Sequence, residues 1–319
     1  MRDILFIELQ GCKMKGKRLL LSAILTVFSS VNIFIPLCAQ TKSQIADGLR
    51  LTKTGSYSQS FVPEENTEPE PQKEKLFDLD PLAEVVIAGG ALGVIAFDYL
   101  KTEKNTKKGK NPTFTGIRNT TEIPATDAIF YKEYNHTFDY IGTGLQVAAM
   151  LTPAVFVMAP KQEWFTIGIM YTESVLWAYG LKNLGKAMVY RARPYTYATG
   201  WPQKDVDDGD WYNSFPSGHA TMAFNAATFT TLVYGSFFPE GKTKYIVGAG
   251  CYAIAAATAA SRIMSGNHFL SDVLTGAAIG TTTGLMIPIA HTYIAQLNAS
   301  GKSLTARLLP NGLLFKYEY

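Results

Sequence analysis

Three short stretches in the second half of the chain contain residues whose side chains could take part in catalysis, namely histidines, basic residues and an aspartate. In SRIMSGNHFLSD, Asp272 follows His268 by four residues, and Arg262 precedes His268 by six. If His268 and Asp272 lie in the first turn of a helix, they share one face, and Asp272 can accept the ring N–H of His268. That contact would leave the other ring nitrogen basic and free to attack an electrophile. Arg262 adds a planar cation that suits an oxyanion.

The other two stretches supply groups that bind an anion. In KAMVYRARP, Lys186 and Arg193 are seven residues apart, so a helix that runs to Pro194 places both cations on one face. In PSGH, which opens an apolar run, Ser217 and Gly218 fall in the first turn of a helix. Free backbone N–H groups and the helix dipole favour an anion there. A charged pair or a Ser-Gly cap is ordinary when alone, but the three stretches together favour a phosphate site.

The order and spacing of these stretches resemble a known signature. From Lys186 to Asp272 the chain reads K-x6-R-P, then P-S-G-H, then S-R-x5-H-x3-D. It matches every position of the three-part signature of the type 2 phosphatidic acid phosphatase (PAP2) and vanadium haloperoxidase superfamily. The resemblance implies an all-α helical bundle whose site works without a metal or cofactor.

The resemblance also implies a role for each matching residue. His268 is expected to be the nucleophile that takes the phosphoryl group, Asp272 its orienting partner, and His219 the general acid that protonates the leaving oxygen. The expected phosphate-binding residues are Lys186, Arg193, Ser217, Gly218 and Arg262. These residue types suit phosphoryl transfer, because fixed cations and N–H donors stabilise charge on the equatorial oxygens. One histidine can attack while a second donates a proton.

Long apolar runs predict the helices that position these residues. About six helices follow the first 80 residues, and the three stretches fall at the end of the third, the start of the fourth and the junction of the fifth and sixth. In an up-down bundle these points share one end, because the fourth and fifth helices lead away and return. The first helix is expected to be short and packed, from Leu82 to about Tyr99, with a solvated basic loop after it.

Several other polar residues are expected to play no part in the site. Arg191 is interpreted as a helix-surface charge, with a phosphate contact as the alternative. The acidic run D-x-D-D-G-D, which ends at Asp210, is expected to be a solvated turn because it lacks the bidentate glutamate of a calcium loop. His136 and His291 lie outside the signature, and we expect both to be structural.

The amino-terminal part predicts secretion. Basic residues precede an uncharged run and then Cys38-Ala39-Gln40, which is the order of a signal peptide cleaved after Ala39. An uncleaved anchor helix is the alternative. A polar, acidic segment follows, which cannot bury enough apolar surface to fold by itself. The predicted organisation is a signal peptide (1–39), a disordered acidic linker (40–80), a PAP2-like helical domain (81–298) and a C-terminal extension (299–319) whose Asn-Gly turn favours a short hairpin.

Composition narrows the class of protein. The formal net charge is only +3, which gives no indication of nucleic-acid binding. After signal removal Cys251 would be the one cysteine left, so no internal disulfide is predicted. The mean hydropathy of +0.04 favours a periplasmic helical domain, while several long uncharged runs leave membrane association open.

The leading functional hypothesis is a metal-independent phosphomonoesterase that forms a phosphohistidine, in the periplasm or associated with the cell-envelope membrane. Candidate substrates are lipid phosphates of the phosphatidate, undecaprenyl pyrophosphate or lipid A type. Small soluble phosphoesters, as for a non-specific periplasmic acid phosphatase, are the alternative. Two further alternatives are a vanadate-dependent haloperoxidase, since vanadate mimics phosphate, and a non-catalytic phospholipid-binding envelope protein.

Overall fold

The helices occupy most of the chain that the structure describes. This computed structural model describes residues 4–8, 76–109, 111–300, 303–309 and 312–318. The predicted signal peptide, apart from residues 4–8, and most of the predicted linker lie outside the described residues. The α-helices are α1 (Pro81–Lys107), α2 (Ala125–Ala128), α3 (His136–Met150), α4 (Trp164–Met188), α5 (Gln203–Asp207), α6 (Gly218–Phe237), α7 (Thr243–Met264) and α8 (Leu270–Ala299). Short 3-10 segments are Thr120–Glu122, Thr152–Met158, Lys161–Glu163, Pro194–Tyr197 and Asp210–Tyr212.

Within these ranges six helices are long, namely α1, α3, α4, α6, α7 and α8. The predicted all-α bundle of about six helices is therefore confirmed. Side-chain caps set where several of them begin. The Asp80 carboxylate accepts the backbone N–H groups of Leu82 and Ala83 at the start of α1. The Asn135 side chain accepts the N–H of Phe138 at the start of α3. Each cap satisfies amides that a helix leaves unpaired in its first turn.

Helix α6 is the centre of the bundle, since it packs against α3, α4, α7 and α8. Its closest neighbour is α8, and a row of glycines in α8 permits the contact. A Cβ atom at Gly276 would lie 2.4 Å from the Ser217 carbonyl oxygen, and one at Gly280 would lie 2.1 Å from that of Thr221. Any side chain there would push the helices apart, so these glycines hold the start of α6 beside the start of α8.

The outer surface of the bundle is apolar. Within the described residues, four segments are long and apolar enough to span a bilayer, namely α1, residues 136–158, α7 and α8. Val85, Tyr99 and Leu100 of α1 are among the exposed large apolar side chains. This surface is that of a membrane protein. The moderate mean hydropathy of the whole chain understates it, because that average includes the polar segment before residue 76.

Helix α1 differs from the short packed helix that was predicted. It has 27 residues, continues through most of the expected basic loop to Lys107, and buries only Ala91. The lysines near its end extend the helix because lysine is a good helix former whose charge suits the C-terminal end of the helix dipole.

Three strands form one small sheet. Strands β1 (Ile4–Glu8), β2 (Ser303–Leu309) and β3 (Gly312–Glu318) lie in the order β1-β3-β2. β1 pairs antiparallel with β3, with Ile4 opposite Lys316 and Glu8 opposite Gly312. β2 and β3 are the two strands of the segment in which a hairpin was predicted.

Candidate active site

Three loops that are distant in sequence meet at one end of the bundle. The first follows α4, the second precedes α6, and the third joins α7 to α8. The N–H of Ser217 donates to the Asp272 carbonyl oxygen at 3.0 Å, which ties the second loop to α8. The Arg193 guanidinium donates to the Asn267 side-chain oxygen at 2.8 Å, which ties the first loop to the third. The three predicted stretches therefore form one cluster.

His268 is held by a backbone carbonyl. Its ring is 2% exposed, and Nδ1 lies 2.7 Å from the Ser214 carbonyl oxygen. A carbonyl can only accept a hydrogen bond, so Nδ1 carries the proton in the neutral ring and Nε2 keeps its lone pair. The predicted direct hydrogen bond from His268 to Asp272 is wrong, because Nδ1 lies 4.0 Å from Asp272 Oδ2. The i,i+4 spacing fails since His268 precedes α8, in the loop rather than the helix.

Asp272 acts on His268 through Ser214. Its Oδ2 accepts the Ser214 hydroxyl at 2.6 Å and the Phe269 N–H at 2.9 Å. The Asp272 carboxylate therefore holds Ser214, whose carbonyl oxygen orients the His268 ring, and it also holds the backbone of Phe269, which follows His268. Asp272 is therefore one hydrogen bond further from the imidazole than its spacing predicted.

Arg191 is part of a buried ionic cluster and not a helix-surface charge, so that interpretation is wrong. Its guanidinium donates to Asp272 Oδ1 and to Asp127 Oδ2, both at 2.5 Å, and to the Ser271 hydroxyl at 2.7 Å. Asp127 also accepts the Ser271 N–H at 2.9 Å.

The sequence offered no signal for Asp127, which lies outside the signature in the short helix α2. Ser214, three residues before Ser217, and Arg191, two before Arg193, were at least close to recognised positions.

Arg193 reaches the site by a different route from the one predicted. Helix α4 ends at Met188, so Lys186 and Arg193 do not share a helical face. The chain leaves the helix before Arg193, whose Nε donates to the Asp210 carbonyl oxygen at 3.0 Å and whose Nη2 forms an ion pair with the Asp210 carboxylate. Asp210 was predicted to lie in a solvated turn; its side chain is 41% exposed, but the prediction missed its ion pair with Arg193. Its charge is needed beside a buried cation.

Arg262 comes from the last turn of α7 and points toward α3. Its Nη1 donates to Asp139 Oδ1 at 2.5 Å, while Nε has no hydrogen-bond partner within the described residues. A Cβ atom at Gly142 of α3 would lie 3.1 Å from Arg262 Cδ, so the glycine makes room for the arginine. A buried guanidinium with an unused N–H is suited to an oxyanion ligand.

The remaining predicted residues lie around the start of α6. The Ser217 hydroxyl caps the helix by accepting the Ala220 N–H at 3.5 Å. His219 Nε2 lies 3.3 Å from the Thr143 hydroxyl of α3. A Cβ atom at Gly218 would lie 3.3 Å from Cδ of Lys182, which stands one helical turn before Lys186 in α4. Lys182 was missed, although its i,i+4 relation to Lys186 was visible in the sequence.

Residues 168–295, which contain every one of these predicted residues, match the family model described as PAP2 superfamily. This part of the chain is therefore similar to the PAP2 superfamily, and it contains the three loops just described.

Two curated relatives bear the name lipid A 1-phosphatase. That of Porphyromonas gingivalis is 40% identical over 105 residues, which are 33% of this chain and 19% of the relative. That of Rhizobium etli is 31% identical over 152 residues, 46% of this chain and 60% of the relative. The chain therefore spans less than two thirds of the length of either one. A solved transmembrane PAP2 type phosphatidylglycerolphosphate phosphatase from Bacillus subtilis is 17% identical, with a TM-score of 0.41 over 64% of this chain and 96% of its own.

The electrostatics of this site keep the His268 imidazole neutral. Burial lowers the pKa of His268 well below its usual value, and Arg193, Arg262, Lys186 and His219 lower it further. Burial and the same cations also lower the pKa of His219. Because each effect of a charge requires proximity, the lysine, the two arginines and both imidazoles lie near one another. An anion bound there would restore the pKa of both histidines toward neutral values.

Proposed function

We propose that the protein is a phosphatase that transfers a phosphoryl group to His268 and then to water. The observation that carries the proposal is the orientation of the His268 ring. Its Nδ1 faces the Ser214 carbonyl oxygen, so the lone pair of Nε2 is the nucleophile, near cations that lower the pKa of the ring. A neutral imidazole with one nitrogen occupied by an acceptor is the form that can attack phosphorus.

The reaction is proposed in two steps. In the first, the bond from His268 Nε2 to phosphorus forms and the bond from phosphorus to the leaving oxygen breaks, while His219 gives that oxygen a proton. In the second, water attacks phosphorus, His219 takes a proton from the water, and the N–P bond breaks to release inorganic phosphate. Lys186, Arg193 and Arg262 neutralise the equatorial oxygens in both steps, and the Ser217 hydroxyl and Gly218 N–H lie at the same helix start.

We infer that the substrate is a lipid phosphate. Two relatives bear the name lipid A 1-phosphatase, and the bundle that carries the site is apolar on its outside. A lipid substrate can keep its acyl chains in the bilayer while its phosphate reaches the end of the bundle. With the predicted signal peptide and linker, we further propose that the protein works in the cell envelope, with its site toward the periplasm.

Phosphate release by the purified full-length protein in detergent tests the proposal. The panel comprises phosphatidate, undecaprenyl pyrophosphate, lipid A, glycerol phosphate and p-nitrophenyl phosphate, with EDTA present. We expect release from at least one lipid phosphate and none by His268→Ala. Release from soluble esters alone would replace lipid phosphates as the substrate class. Bromide oxidation that depends on added vanadate, without phosphate release, would identify a haloperoxidase instead.

A matched control and a chemical test complete the experiment. His136→Ala removes a histidine that packs on the Tyr140 ring at the start of α3 and should retain activity. Brief reaction with a substrate labelled on its phosphate should give a protein-bound label that is stable to base and lost in acid, as a phosphoramidate is. Full turnover by His268→Ala would overturn the mechanism.

A further inference from the structure

A second cluster of ionisable side chains lies inside the helical unit, away from the site. Glu84 of α1, Glu173 of α4 and His291 of α8 each place one potential ligand atom within 4.8 Å of the others. Glu173 precedes Lys186 by 13 residues in the same helix. At about 1.5 Å per residue, that puts the cluster roughly 20 Å along α4 from the phosphate-binding lysine. It is too remote to take part in the proposed reaction.

The hydrogen bonds of His291 orient it as a metal-binding histidine is oriented. The ring is fully buried, and Nδ1 lies 2.9 Å from the Asp78 carbonyl oxygen. That carbonyl can only accept, so the neutral ring has its proton on Nδ1 and its lone pair on Nε2. Histidine ligands of metals commonly donate their second ring N–H to a carbonyl or carboxylate in this way. Nε2 faces Glu173 Oε2 at 2.8 Å, so either a proton or a cation must lie between these two atoms.

Each of the two carboxylates has one oxygen that receives no hydrogen bond within the described residues. Glu173 is 3% exposed, yet its Oε1 has no hydrogen-bond partner within the described residues. The same is true of Glu84 Oε1, which lies 3.6 Å from His291 Nδ1. Buried acceptors that converge without donors are costly unless something positive lies among them. A cation bound by all three groups would remove that cost.

We propose that Glu84, Glu173 and His291 bind a divalent metal ion of the Zn²⁺ type, which links α1, α4 and α8. An imidazole nitrogen with two carboxylate oxygens is a donor set that such ions accept. Bonds of about 2.0–2.2 Å put two ligand atoms at most about 4.4 Å apart, and the three candidate atoms lie within 4.8 Å of one another, so a bound ion requires the carboxylates to move inward. The Glu84 side chain is 23% exposed, which gives an ion a way in. The role is structural, because α1 has few buried residues of its own.

Metal content tests the site directly. Full-length protein in detergent is incubated with Zn²⁺, freed of excess by gel filtration and analysed by mass spectrometry for bound metal. We expect about one ion per chain for the wild type and at least a tenfold loss for both His291→Ala and Glu173→Gln. His136→Ala is the matched control and should bind as the wild type does. Metal content below about a tenth of an ion in wild type, or equal content in His291→Ala, would overturn the proposal.

Thermal unfolding distinguishes a bound metal ion from protons shared among the three side chains. EDTA should lower the Tm of the wild type and leave the Tm of His291→Ala unchanged, since that variant has no bound ion to lose. A wild-type Tm that varies with pH but not with EDTA would show that protons hold the cluster, and would refute the metal. His268→Ala should bind the ion normally, so metal binding can succeed or fail independently of the proposed phosphatase activity.

Discussion

The Nδ1 atom of His268 lies 2.7 Å from the backbone carbonyl oxygen of Ser214, while the Asp272 carboxylate lies 4.0 Å away and accepts the hydroxyl of the same serine. Ser214 therefore stands between the carboxylate and the imidazole. Its backbone sets the tautomer of the ring, and its side chain transmits the position of Asp272. This arrangement separates two effects that a direct His-Asp contact would combine.

Replacing Ser214 with alanine should test that separation. Ser214→Ala keeps the carbonyl that orients His268. It removes the hydroxyl through which residue 214 is bound to Asp272. Because outer contacts of this kind typically contribute about 10–100-fold, we expect kcat to fall by about tenfold with little change in KM. Steady-state phosphate release, compared with the inactive His268→Ala, provides the measurement. Unchanged kcat would mean that the hydroxyl has no positioning role.

The ion pairs of Arg191 should dominate the local stability. Arg191→Ala leaves the carboxylates of Asp127 and Asp272 buried without their counterion, so we expect the free energy of unfolding to fall by about 3 kcal/mol. Arg118→Ala is the matched control, because its ion pair with Glu122 is largely exposed and should contribute less than about 1 kcal/mol. Thermal unfolding of both variants in detergent decides the matter. Equal losses would contradict the buried cluster.

The close contact of α6 and α8 should tolerate no side chain at Gly280. A Cβ atom there would lie 2.1 Å from the Thr221 carbonyl oxygen, so Gly280→Ala should separate the helices and cost about 1–3 kcal/mol. Gly250→Ala in α7 meets nothing within 4 Å and should be neutral or stabilise by up to about 1 kcal/mol, because alanine favours a helix. The Tm and kcat of both variants can be compared. A Gly280→Ala variant as stable as Gly250→Ala would refute the contact.

The lowered pKa of His268 predicts a pH-dependent cost to stability. Burial, followed by Arg193 and Arg262, keeps the folded ring neutral at pH values where the unfolded ring is protonated. Below the unfolded pKa of about 6.5 the unfolded state therefore binds a proton that the folded state does not, and the folded state loses up to about 1.4 kcal/mol per pH unit. His268→Gln removes this group. The difference in Tm between His268→Gln and the wild type should move in favour of the variant as the pH falls from 7.5 to 5.

That comparison requires phosphate-free buffer, because a bound anion would raise the pKa of the ring and mask the effect. His136→Gln serves as the control, since this exposed histidine does not lie in the cluster of cations. A pH-independent difference between His268→Gln and the wild type would show that the ring has the same pKa in the folded and unfolded states, and would contradict the prediction.

Much of the architecture was accessible without coordinates. The six long helices follow from apolar runs, and counting them was enough to bring the three signature stretches to one end of the bundle. Such features depend on residues close together in the chain, so a pattern can reveal them. Helix ends were less accessible. Because α4 stops at Met188, Lys186 and Arg193 do not share a helical face. Because α8 begins after His268, His268 and Asp272 do not share one either.

The sequence by itself determined the resemblance to a superfamily, the helical class and the residues that could bind and attack a phosphoryl group. Only the tertiary structure decided which partner each of those residues has. Ser214, and not Asp272, accepts the hydrogen bond from His268. Asp210 is the counterion of Arg193. His291 lies beside two glutamates from other helices. The physical reason is that a hydrogen bond or ion pair depends on separations of about 3 Å. Those separations are fixed by how whole helices pack, which no local spacing encodes.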